Sequence, residues 1–126
     1  MDTAKLLSSV PTGLWIGGEE RKGSSTFDVL DPSDDKVLIS VANATPEDAV
    51  AALDAACAVQ ADWAATAPRE RGEILRSVFE TITERAEDLA TLMTLEMGKV
   101  LPESMGEVKY GSEFFRWFAE EAVRIA

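Results

Sequence analysis

Cys57, the only cysteine in the 126-residue chain, is the first candidate for nucleophilic chemistry. A reactive thiol needs a lowered pKa, supplied by a basic neighbour or a helix N-terminus. Cys57 has neither in the sequence: Ala55, Ala56 and Ala58 flank it, and the spacing of apolar residues around it predicts the middle of a helix. It is therefore expected to be a small buried core residue. The acids come in adjacent pairs, Glu19-Glu20, Asp34-Asp35, Glu47-Asp48 and Glu120-Glu121. Adjacent residues on a helix do not share a face, and catalytic carboxylate pairs need a set separation across a cleft. These acids are expected in turns, at helix starts and on solvated surface. Histidine is absent, which removes the commonest general base and the commonest metal ligand. With no histidine and no telling carboxylate spacing, no metal site is expected. Phosphate or dinucleotide binding needs a glycine-rich loop between a strand and a helix. Gly17-Gly18 is followed by strand-like sequence, and Gly98-Lys99 lies between two helical runs. Both are expected to be structural.

The aromatic group Tyr110, Phe114, Phe115, Trp117 and Phe118 is left. Two uses fit it: core packing, or one face lining an apolar pocket for a small ligand. Sequence alone does not place such a pocket.

The elements that would carry these residues divide into a β-rich stretch and a helical one. Residues 1–12 are expected to be a loosely packed arm. Leu14-Trp15-Ile16, Gly17-Gly18 and Glu19 to Lys22 predict a hairpin, because Gly-Gly supplies the positive φ of a tight turn. Thr26 to Leu30 alternates, with Phe27 and Val29 on one face, and predicts a half-buried strand. Asp31-Pro32-Ser33-Asp34-Asp35 is a turn, and Val37 to Val41 is the next strand. Thr45-Pro46-Glu47-Asp48 then starts a helix, with Thr45 as cap, Pro46 at the first position and acids at the positive end of the dipole. Its apolar stripe is Val50, Leu53, Cys57 and Ala61, with Trp63 near its end. Thr66-Ala67-Pro68 starts a second helix with Ile74, Leu75, Val78, Phe79 and Ile82 on one face. A third, roughly Glu87 to Met97, ends at Gly98. Pro102 opens a fourth. Met105, Val108, Phe115, Ala119, Ala122 and Ile125 follow one side of it. Tyr110, Phe114 and Trp117 follow another. A helix apolar on two sides is usually buried between layers, and nothing upstream supplies both. This helix also reaches the C-terminus without a stop signal, so the sequence is expected to be a piece of something larger.

Composition bounds the function. Apolar residues make up 46%, too many for disorder. The formal net charge of −11 argues against nucleic acid, whose phosphates demand a basic footprint. The single cysteine gives no intrachain disulfide framework and fits a reducing cytoplasm. No apolar run approaches the length of a membrane span, and the N-terminus lacks the extended apolar core of a secretion signal.

Several segments resemble the aldehyde dehydrogenase superfamily, in order. Leu14-Trp15-Ile16-Gly17-Gly18 is similar to that family's first hairpin, and Phe27-Asp28-Val29-Leu30-Asp31-Pro32 to its strand and turn. Trp63 followed by Pro68-Arg69-Glu70-Arg71 and Ile74-Leu75 is similar to its Trp…Glu-Arg…Ile-Leu pattern. Leu92 to Lys99, then Gly106-Glu107, then Phe115 to Ala122, resembles succinate-semialdehyde dehydrogenases most closely. The match runs over roughly residues 13–126.

What the resemblance implies is an α/β parent several times longer. Residues 13–126 would be the incomplete N-terminal part of its NAD(P)-binding domain: β-hairpins and strands followed by about four α-helices. Such enzymes oxidise an aldehyde to a carboxylate with NAD or NADP. A cysteine thiolate attacks the carbonyl, hydride passes to the nicotinamide, and a glutamate-activated water hydrolyses the thioester, while an asparagine and backbone amides hold the oxyanion. The resemblance places all of these groups, and the nucleotide-binding units, beyond this chain. It leaves Cys57 on a non-catalytic helix and transfers no catalytic or cofactor-binding residue. It does put the fourth helix near the substrate tunnel, with Tyr110 and Phe114 as tunnel positions, although Gly111 and Ser112 are smaller than in some members. The expected whole is a cytoplasmic homo-dimer or homo-tetramer acting on succinate semialdehyde, with this piece inactive alone. Another small aldehyde, or a non-catalytic helical module that binds a partner, are the alternatives.

Overall fold

The computed structural model describes residues 3–125. The chain divides into two units, split between Ala65 and Thr66.

The first unit begins with α1 (Thr3–Ser8), which buries Leu6. This short helix lies within the stretch read as an arm, and it brings the helices among the described residues to five. Met1 and Asp2, also in that stretch, lie outside the described residues. Strands β1 (Leu14–Ile16) and β2 (Glu19–Arg21) pair antiparallel, with Trp15 opposite Glu20. Gly17 and Gly18 connect them with φ of 66° and 83°, the left-handed values that a two-residue hairpin turn of this twist requires. Strands β3 (Ser25–Leu30) and β4 (Val37–Asn43) form a second antiparallel pair, with Phe27 opposite Val41. Asp31 organises the turn between them: its carboxylate accepts the Ser33 backbone N–H at 2.8 Å, and its own N–H donates to the Lys36 carbonyl at 2.8 Å. Phe27, expected to be half-buried, is exposed. A two-stranded ribbon offers its outer face no packing layer.

Helix α2 (Pro46–Ala65) starts where the sequence placed it. The Thr45 hydroxyl accepts the Asp48 N–H at 3.2 Å, and the Asp48 carboxylate accepts the Thr45 N–H at 2.9 Å. This is a reciprocal capping box with Asp in the acidic position. The stripe of α2 behaves differently from expectation. No residue of the helix is buried, and Val50, Leu53 and Cys57 are all exposed. Cys57 is thus not a core residue. Its stripe is apolar and stays exposed.

The second unit is three helices: α3 (Pro68–Glu84), α4 (Ala86–Met97) and α5 (Leu101–Arg124). Arg85 alone joins α3 to α4. Gly98 ends α4 at φ 70°, and its N–H closes onto the Thr94 carbonyl at 2.9 Å, a left-handed cap. Lys99 then pairs with Glu107 across the turn into α5. The buried residues of this unit are small: Gly72 on α3, Ala90 on α4, and Ser104, Val108, Ser112 and Ala119 on α5. A Cβ on Gly72 would sit 2.7 Å from the Ala119 carbonyl oxygen, so α3 and α5 meet almost backbone to backbone. On the other flank Ser104, fully enclosed, shares a 2.9 Å hydrogen bond with the Thr94 hydroxyl of α4. Ile74, expected on the buried stripe of α3, is exposed.

Gly72→Val forces α3 and α5 apart. Overpacking of this kind costs about 1–3 kcal/mol, and valine's better helix propensity returns only a few tenths. The midpoint of urea unfolding, followed by circular dichroism, is expected to fall accordingly. An unchanged midpoint would contradict the close approach.

Candidate functional site

Helix α5 carries two faces. Ser104, Val108 and Ser112 recur every fourth residue, and Ala119 continues the same row, facing α3 and α4. Tyr110 follows Val108 by two residues, about 200° of helical rotation, and so points away. Phe114, Trp117 and Phe118 share its side at spacings of four, seven and eight residues. These side chains are Tyr110 69%, Phe114 48%, Trp117 62% and Phe118 54% exposed. Together with Glu113 they line a shallow groove of about 350 Å³. The Tyr110 and Phe114 rings stand edge to face, with centroids 5.0 Å apart and planes at 87°, an arrangement that suits the quadrupoles of both rings.

The structure therefore brings Tyr110 and Phe114 together on one surface and adds Trp117, which the helical period had already put there. Phe118 was missed on that face. The signal was available, since it stands four residues after Phe114. Phe115, which helical spacing puts on the side of Val108 and Ala119, is exposed as well.

The one charged residue among the described residues lining the groove, Glu113, is paired. Glu113 accepts from Arg116 Nε at 2.7 Å. At the C-terminal end Arg124 grips Glu121 with two parallel bonds, Nε to Oε1 at 2.8 Å and Nη2 to Oε2 at 2.5 Å. The hydrogen bond from Arg124 holds the Glu121 carboxyl below its ordinary range, with the positive charge of Arg124 adding to it.

Among the described residues no group of three or more His, Cys, Asp or Glu side chains could hold a metal ion. The glycines expected to be structural do lie in tight turns. Gly17-Gly18 joins two strands, Gly98 joins two helices, and the link from β4 to α2 is Ala44-Thr45, with no glycine. Cys57 stands mid-helix on α2, in the other unit. Among the described residues no helix is long and apolar enough to cross a membrane.

The model of the aldehyde dehydrogenase family matches residues 19–126. The chain belongs to the aldehyde dehydrogenase family. A succinate-semialdehyde dehydrogenase of Paenarthrobacter nicotinovorans is 65% identical over 88 residues, which cover 70% of this chain and 20% of that protein. Among solved structures, an NADP-dependent enzyme of Escherichia coli superposes with a TM-score of 0.91 at 37% identity, covering 100% of this chain and 26% of its own. A betaine aldehyde dehydrogenase of Staphylococcus aureus in complex with NAD+ gives 0.88 at 31% identity, covering 94% of this chain and 24% of its own. The aldehyde dehydrogenase chain described here thus spans between a fifth and about a quarter of the relatives it matches. Its short strand pairs followed by helices are an aldehyde dehydrogenase-like arrangement.

Two outcomes follow from this geometry. Trp117→Ser removes an exposed ring and is expected to shift unfolding by no more than about 0.5 kcal/mol, while lowering the binding of an apolar fluorescent dye. Val108→Ala, on the buried face, is expected to cost about 1.5–3 kcal/mol. Similar losses for both would contradict the two-faced helix. In a carboxyl NMR titration Glu121 is expected to titrate below the ordinary glutamate range, because Arg124 hydrogen-bonds its carboxylate. Its stabilising contribution is present above the ordinary carboxylate range and is lost as the pH falls through the lowered folded value. Arg124→Gln should bring that titration back up, and an unmoved midpoint would count against the bidentate pair.

Proposed function

We propose that this chain is part of an NAD(P)-dependent aldehyde dehydrogenase that oxidises succinate semialdehyde to succinate through a cysteine thioester. The observation that carries the substrate is the 65% identity to the P. nicotinovorans succinate-semialdehyde dehydrogenase. The nucleophilic cysteine, the glutamate that activates water and the asparagine that holds the oxyanion belong to other parts of the family's polypeptide. The residues of this chain supply scaffold, and alone they do not turn over substrate. Cys57, exposed among the alanines of α2, has no part in the reaction. Tyr110 and Phe114 line the substrate tunnel: their paired rings give a rigid apolar wall that holds a short aliphatic chain and keeps water from it. The whole enzyme is cytoplasmic and homo-oligomeric, and its bound nicotinamide accepts the hydride.

The uncovered aromatic face also favours a second reading, in which the helical unit binds a partner protein without catalysis. Apolar patches of this kind mark such surfaces.

A chimera separates the possibilities. Residues of this chain replace the matching stretch of the P. nicotinovorans enzyme, and reduction of NAD or NADP is followed with a panel of small aldehydes. Succinate semialdehyde is expected to be the best substrate, and Phe114→Ala or Tyr110→Ala in the chimera to raise its KM several-fold. Cys57→Ser should leave the rate unchanged, and the 126-residue chain alone should give none. Preference for another aldehyde would overturn the substrate. Turnover by the chain alone that Cys57→Ser abolishes would overturn the scaffold role. An inactive chimera that folds and binds cofactor would favour the partner-binding reading.

A further inference from the structure

We draw no further inference here: the strongest candidate, the exposed aromatic face of α5 formed by Tyr110, Phe114, Trp117 and Phe118, is an unpartnered apolar surface beyond the tunnel role already proposed for it, and nothing in the structure shows what covers it.

Discussion

The distance between α5 and α3 is set by a side chain that is not there. Gly72 lets the Ala119 carbonyl come within 2.7 Å of where a Cβ would stand. On the other flank, α5 leans on α4 through the Ser104 and Thr94 hydroxyls, 2.9 Å apart. Small residues let helices approach closely, and close approach multiplies weak dispersion contacts. The buried Ser104 hydroxyl finds a partner in the half-buried Thr94 hydroxyl, so burying it carries little desolvation penalty. The seam also fixes the rotation of α5 about its own axis. Once Ser104, Val108, Ser112 and Ala119 face inward, the aromatic side chains must face outward.

That rotation links packing to function. A groove made by one helix is only as well defined as the helix's orientation. The Gly98 cap and the Lys99–Glu107 pair fix the turn that launches α5. The Arg124–Glu121 pair ties its last turn. Surface pairs of this kind contribute little each, about 0–1 kcal/mol, so the small-residue seam carries most of the orientation. The edge-to-face contact of Tyr110 with Phe114 then restrains the two rings proposed to meet the substrate.

Elements whose signals are local were legible in the sequence. Thr45-Pro46 capped α2, Gly17-Gly18 turned the first hairpin and Gly98 closed α4, because each residue type answers a backbone requirement at its own position. The aromatic face was legible from helical period alone, save Phe118. Burial was less legible, because it depends on what lies opposite. The α2 stripe through Val50, Leu53 and Cys57 has the right spacing and stays exposed. Ser104 and Ser112 are polar and are buried, which no stripe in the sequence marks. Gly72 reads as a cost to helix α3, about 1 kcal/mol against alanine, and only the neighbouring carbonyl of Ala119 explains it. Family membership rests on the ordered match over residues 19–126 and not on any one cluster of side chains.

The claim that order in this chain resides in the small-residue seam is tested most directly by amide hydrogen exchange on the full chain, resolved by peptide. Helix α2 buries no residue, whereas α3, α4 and α5 share the seam, and protection follows buried packing rather than helical hydrogen bonds alone. Peptides from α5 and the Gly72 turn of α3 are expected to exchange at least tenfold more slowly than those from α2. Equal exchange across all four helices, or α2 the slowest, would contradict it.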